Sequence, residues 1–256
     1  MLQSTFIHIP GVGREKEKMF WRKNIHTWDD YLENYNFLQL GENTKEIIRK
    51  NCIVSKKQYE LGNFWHFSEN LPLNEHWRAY PDCIKNCCFL DIETTGLDKQ
   101  NNKITTIGVY DGQESRVFVR GRDMDKFRDY IQNYSMIVTF NGRCFDLPFI
   151  KNNYPEICFN QFHIDLRFVM KELGYTGGLK RIEKEMGITR NDEIAEVDGF
   201  EAVRLWRRYK KGDNEALRKL IEYNIADVEN LKIMMDMVFE KLREKLTIFH
   251  NESFPF

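Results

Sequence analysis

The sequence predicts an α/β fold, a mixed sheet with helices packed on it, joined to a small, mostly helical N-terminal extension. Three observations predict this. Apolar runs of strand length crowd between Cys87 and Phe140, helical periodicity takes over from Leu166, and the residues up to Lys85 are short of strand signals. The expected division is an extension over residues 1–85 and a larger domain over residues 86–250.

Each element has a local reason. Thr5-Phe6-Ile7-His8-Ile9 reads as a short strand, and Gly11-Val12-Gly13 then turns the chain into a helix over Arg14–Lys23. Thr27 is placed to cap a segment running through Trp28, Tyr31 and Leu32. Ser55 with Gln58 three positions on fits a capping box opening another short helix. The aromatic, proline-containing passage from Phe64 to Pro81 reads as a linker packed on the surface of something larger.

In the larger domain, Cys87–Ile92 is a near-continuous apolar run interrupted by one carboxylate, as expected of a buried strand. Ile104–Tyr110 and Arg116–Val119 read as two more strands joined by a turn at Asp111-Gly112. Asp123–Tyr130 reads as helix and Met136–Phe140 as a short strand. Leu179, Ile182 and Met186 recur at helical spacing until Gly187. A long helix follows Asp213, carrying Leu217, Leu220, Val228, Leu231, Met234 and Leu242.

Composition narrows the classes. With 42% hydrophobic and 14% aromatic residues in 256, the chain can build a core, which excludes wholesale disorder. The 38 Lys and Arg nearly balance 39 Asp and Glu, excluding a uniformly basic nucleic-acid coat but not local basic patches. No apolar run approaches the roughly 18–20 residues of a membrane span. Met1–Phe20 lacks the basic start and long apolar stretch of a secretory signal. Six scattered Cys do not make a disulfide scaffold, so the expected compartment is a reducing cytoplasm without membrane association. Cys83, Cys87 and Cys88 have no His or Cys pair downstream to complete a metal site, and are read as buried thiols.

The informative residues are carboxylates in apolar surroundings. Asp91 and Glu93 lie two apart in a strand, so both leave the same face. Two neighbouring buried carboxylates raise each other's pKa, and a divalent cation removes that penalty; alternatively the strand ends at Asp91 and both acids face water. Asp146 falls in the first turn of a helix just beyond the carboxyl end of the Met136–Phe140 strand, a position equally open to a solvated Asp. In the long helix, Leu220, Tyr223, Asp227, Leu231 and Met234 share one stripe, which puts Asp227 and Tyr223 on the apolar face. Asp227 there needs a partner, either a cation or a hydrogen-bonded helix end.

Taken in order, these segments resemble a known family. Phe89-Leu90-Asp91-Ile92-Glu93-Thr94-Thr95-Gly96-Leu97 resembles the first motif of the RNase H-like, DnaQ-type 3′–5′ exonucleases, Asn141–Asp146 their second, and Tyr223-Asn224-Ile225-Ala226-Asp227 the tyrosine form of their third. The chain is similar to the YprB-like branch of these DEDD enzymes, also at His163–Arg167, Gly177–Lys180 and Leu205–Tyr209, over about Asn86–Met237. Asp165 is set apart from the acids as the cap of a helix starting near Leu166.

The resemblance implies an RNase H-like mixed sheet with helices on both faces and phosphodiester hydrolysis with two divalent ions. It implies Asp91 between the ions, Glu93 and Asp227 completing the first shell, Asp146 on the second ion, and Tyr223 orienting the attacking water. All-oxygen ligands favour Mg²⁺ or Mn²⁺ over zinc. The implied substrate is single-stranded nucleic acid with a free 3′ end, DNA favoured, and Thr94 and Asn141 of the motifs are its implied contacts.

Other contacts are expected from charge. Lys180, Arg181 and Lys184 cluster after Gly177-Gly178, while Arg204, Arg207, Arg208 and Lys211 lie along one side of a helix; such faces either track phosphates or are simply solvated. Gly11 and Gly13, before the first helix, resemble part of a helix-hairpin-helix phosphate site, the alternative being that this segment braces the larger domain. Two rival functions stand beside the exonuclease: an endonuclease or short-oligonucleotide nuclease with the same metal site, and a non-catalytic module binding nucleic acid or protein.

Overall fold

The computed structural model describes residues 1–190 and 199–247, so the expected domain limit at residue 250 lies outside the described residues. The chain divides into two compact units: Met1–Ile84 with Asn160–Phe162 and the chain from Phe239, and Lys85–Phe159 with His163–Val238.

The first unit is built from α1 (Arg14–Arg22), α2 (Trp28–Asn34), α3 (Glu42–Glu60), α4 (Phe64–Asn70) and the short α5 (Tyr80–Cys83). Thr27 and Asp30 form a reciprocal capping box at the start of α2. An aromatic cluster makes the core, with Trp28 stacked on Phe67 at 5.5 Å and Phe6 edge-on to Phe20 at 5.2 Å. Buried Arg78 pairs with Glu17 at 2.8 Å and Glu75 at 2.6 Å, so its charge is matched inside the core.

Three expectations for this region are corrected. Thr5–Ile9 is not a strand: the Phe6 amide donates to Glu17 Oε1 and the Ile9 amide to the Phe6 carbonyl, so turns and a buried carboxylate satisfy the backbone instead of a partner strand. Ser55 opens no helix, because no breaker interrupts α3 between Gly41 and Glu60, and its buried hydroxyl meets His8 Nε2 at 2.8 Å. Phe64–Pro81 is no surface linker. It holds α4, a 3-10 stretch over Leu73–Ala79 and the start of α5, and its Phe67, Trp77 and Tyr80 are core.

The second unit is an α/β layer. Five strands, β1 (Cys87–Thr94), β2 (Ile104–Tyr110), β3 (Ser115–Val119), β4 (Met136–Thr139) and β5 (Phe162–Asp165), lie in the order β3-β2-β1-β4-β5. β2 runs antiparallel to β1 and β3, and β4 runs parallel to β1. The four-residue β5 was not foreseen, being too short to display a period.

Strand alternation sends the two faces of the sheet to different helices. Leu90 and Ile92, with Ile107 and Val109 opposite them, pack with Phe127 and Ile131 of α6 (Phe127–Ile131) and Phe149 and Ile150 of α7 (Asp146–Asn153). The other face carries Asp91, Glu93 and their neighbours. There Val119 packs with Ala202 and Leu205 of α10 (Gly199–Tyr209) and Leu220 and Tyr223 of α11 (Asn214–Thr247). Two shorter helices, α8 (Leu166–Glu172) and α9 (Leu179–Glu185), complete the unit. Among the described residues no helix is long and apolar enough to cross a membrane.

The α2 cap gives a simple check of the first unit. Thr27→Ala removes the side-chain acceptor for the Asp30 amide and is expected to lower stability to urea by about 1 kcal/mol; an unchanged midpoint would show that the cap contributes nothing.

Candidate metal centre

β1 outruns its parallel neighbour. Its register with β4 reaches only Phe89–Val138, so the backbone beyond Leu90 has no partner on that edge. Asp146, the first residue of α7, takes the vacant place: its Oδ1 accepts the Ile92 amide at 3.1 Å. The turn between β4 and α7 needs a left-handed residue at Asn141 (φ 63°) and then a glycine, because a side chain on Gly142 would collide with Thr139. Asp165 holds that turn. Its carboxylate accepts the Asn141 amide at 2.7 Å and the Arg143 amide at 2.9 Å while also capping α8 through the Arg167 amide.

Asp91 and Glu93 leave β1 on the side where α11 lies. Close approach there depends on Gly108, which sits opposite Asp91 in β2; a Cβ on it would come within 2.9 Å of Asn224. Asn224, fully buried, uses that space to donate from Nδ2 to Asp91 Oδ2 at 2.9 Å. One turn further along α11, Asp227 completes the set. Carboxylate oxygens of Asp91, Glu93 and Asp227 all lie within 4.8 Å of one another. Asp146 stands outside this trio but lines the same cavity of about 450 Å³, as does Tyr223.

The electrostatics follow from this crowding. Burial first, then the charges of Asp227 and Asp146, hold Asp91 and Glu93 well above the ordinary carboxylate range. Burial pushes Asp146 up to about 7. Asp227 is pushed up to about 6, burial outweighing the opposing pull of Arg190 and of a hydrogen bond from Tyr223. The Tyr223 phenol is raised by burial and by the neighbouring acids, so it stays protonated and can donate.

Arg190 was not foreseen. Its Nη2 reaches Asp227 Oδ1 at 2.5 Å and Glu183 Oε1 at 2.6 Å, its Nε reaches Glu183 Oε2 at 2.8 Å, and its guanidinium lies 5.5 Å from the Tyr223 ring centre. Asn230 of α11 also donates to Glu183, at 2.9 Å. No periodicity marks a residue just past Gly187, so Arg190 had no sequence signal. Asn224 had one: a polar residue four after Leu220 on the apolar stripe.

The remaining expected contacts fall in different places. The Thr94 hydroxyl lines the cavity but donates to the Gly96 carbonyl at 2.7 Å. Asn141 lines it too, its Oδ1 held by Arg167 at 2.6 Å. Lys180 Nζ lies 5.4 Å from the Tyr223 ring centre. Arg204 and Arg208 of α10 do not line the cavity and pair instead with Glu201 at 2.9 Å and Asp213 at 2.7 Å. Gly11 (φ 79°) and Gly13, the residue capping α1, lie in the first unit. The cavity's apolar wall was also unforeseen. It includes Leu97 and Phe200, 76% and 70% exposed, so neither belongs to the core.

The donor set suits a hard divalent cation: carboxylate oxygens only, withdrawn from bulk water, mutually repelling, and shaped to converge. A family model of the RNase H superfamily matches residues 88–239, more than half of the chain, and the chain belongs to that superfamily. A relative from Methanocaldococcus jannaschii, an uncharacterised protein, is 29% identical over 169 residues, which cover 58% of this chain and 94% of that one. Among solved structures, the family B DNA polymerase of Pyrobaculum calidifontis is similar over 62% of this chain and 24% of its own, at 19% identity and a TM-score of 0.47. Brucella melitensis NrnC is similar over 66% of this chain and 81% of its own, at 16% identity and a TM-score of 0.41.

Raised carboxylate pKa values make a pH prediction. A group that holds its proton more tightly when folded stabilises fully at low pH, and that stability is lost as pH rises through its folded value. Between about pH 4 and 7, without divalent cations, Asp146 is therefore expected to become a liability. Asp146→Asn keeps an acceptor for the Ile92 amide, and its melting temperature should overtake that of the parent by roughly 3–10 °C across this window. A constant difference between the two curves would show that Asp146 carries no such charge penalty.

Proposed function

We propose that the protein is a metal-dependent nuclease hydrolysing phosphodiester bonds of single-stranded nucleic acid from a 3′ end, with DNA favoured. The observation that carries this reading is the convergence of Asp91, Glu93 and Asp227 oxygens within 4.8 Å, in a cavity shared with Asp146 and Tyr223. Asp91, Glu93 and Asp227 would hold one divalent ion and Asp146 with Asp91 a second, Mg²⁺ or Mn²⁺ suiting an all-oxygen set. When bound, such ions supply positive charge to the attacking and leaving oxygens of an in-line displacement.

The chain's own residues do the rest. Tyr223 stays protonated and donates its single O–H to Asp227; with a cation on that carboxylate the O–H would turn to a water or a phosphate oxygen, as a donor that orients rather than a base that removes a proton. Asn224 donates to one oxygen of Asp91 and Arg190 to one oxygen of Asp227, which sets the orientation of both carboxylates. Leu97 and Phe200 offer apolar surface to the face of a terminal base, a contact that every base satisfies and that requires no particular sequence. A cavity of about 450 Å³ suits a strand end better than a paired helix.

The test is a gel assay on oligonucleotides labelled at either end, single- and double-stranded, DNA and RNA, with Mg²⁺, Mn²⁺ or chelator. Single-stranded DNA should shorten from its 3′ end in a metal-dependent way, and Asp91→Asn or Asp227→Asn should lower the rate by roughly 10²-fold or more. Cleavage of circular single strands would replace the exonuclease reading with an endonuclease. Full activity in either variant would refute the catalytic assignment.

A further inference from the structure

A second cavity in the same unit, of about 470 Å³, is lined by Lys99, Arg143, Lys151, Asn152, Leu147 and Phe159 among its walls. Three cations surround this one hollow in a chain whose 38 Lys and Arg nearly balance its 39 Asp and Glu. On the same unit's surface Arg204, Arg208 and Arg218 each pair with a carboxylate. Among the described residues no ion pair engages Lys99, Arg143 or Lys151, and all three are exposed. Arg143 lies 5.9 Å from the Phe168 ring centre and Lys99 acts on neighbouring Asp98, but no described carboxylate forms an ion pair with any of the three. Such a concentration of positive charge favours a polyanion.

The two cavities are neighbours by construction. The segment following β1 gives Gly96 and Leu97 to the acidic cavity and Lys99 to the basic one. The β4–α7 turn gives Asn141, Phe145 and Asp146 to the first, and Arg143 and Leu147 to the second. Both segments are rigidly held. Asn152 Nδ2 donates to the Lys99 carbonyl at 2.8 Å, and the Asp165 carboxylate fixes the backbone at Arg143. Phe159, half-buried on the basic wall, adds an aromatic surface of the kind on which bases stack.

We propose that the cavity formed by Lys99, Arg143 and Lys151 holds the phosphate backbone of the nucleic-acid strand whose end occupies the acidic cavity. This rests on the nuclease reading and adds where the strand runs. Its consequence is a length effect. A dinucleotide reaches only the acidic cavity, whereas a longer strand spans both and binds more tightly.

The experiment is fluorescence anisotropy of labelled single-stranded oligonucleotides of increasing length, in chelator so that nothing is cleaved, over a salt series. The parent protein is expected to gain affinity with length. Lys99→Glu combined with Lys151→Glu should weaken a long oligonucleotide about tenfold or more. It should also reduce the slope of log affinity against log salt by about 1.4, because two phosphates then keep their counterions in the complex. Lys99→Gln with Lys151→Gln, which adds no new repulsion, should reduce the slope by about the same amount while weakening binding by less. If the parent binds and cleaves long strands but the variants keep its affinity and slope, the basic cavity is not the track and the nuclease reading stands. If the parent neither binds nor cleaves any strand, both fall together.

Discussion

Mutual repulsion among carboxylates that the fold forces together is the constraint around which the second unit is organised. Asp91, Glu93 and Asp227 come from a strand and a helix far apart in sequence, and their oxygens converge within 4.8 Å, with Glu93 and Asp227 buried and Asp91 half-buried. Such an arrangement is unfavourable by itself, since burial and like charge both oppose ionisation. The neighbouring side chains can be read as answers to that problem. Asn224 donates to Asp91, the Ile92 amide to Asp146, and Arg190 to Asp227.

These answers are partial. Arg190 contacts Asp227 directly, yet Glu183 takes two of its hydrogen bonds, so its charge is shared, and Lys180 exerts a smaller pull on Glu93. Four acids therefore face one shared guanidinium and one more distant ammonium. A fold that needed Asp91, Glu93 and Asp227 only for stability would be better served by apolar residues of similar volume. A divalent cation supplies the missing positive charge at one point, which is why the arrangement favours metal chemistry over a structural network.

Much of this site was legible before any coordinates, because carboxylates break patterns that are otherwise strong. The alternation of β1 put Asp91 and Glu93 on one face, and the apolar stripe of α11 exposed Tyr223 and Asp227 as residues in the wrong company. Asp165 followed from its helix-start position, whereas the position of Asp146 left it open to a solvated role and only the motif resemblance drew it into the set. What stayed hidden has no local period. Arg190 reaches the site from irregular chain after a glycine, and the basic cavity gathers Lys99, Arg143 and Lys151 from three separate segments. The first unit was read least well, since Thr5–Ile9 and Phe64–Pro81 bury aromatic residues through turns and short helices whose pattern matches neither strand nor long helix.

The central claim is that the converging acids bind divalent cations, and titration of the metal-free protein with Mn²⁺, followed by calorimetry and by loss of the free-ion paramagnetic resonance signal, tests it most directly. Saturable binding is expected, and Asp91→Asn should abolish it or weaken it severely while the protein stays folded. Absence of saturable binding in the parent protein, or binding indifferent to Asp91, would contradict it.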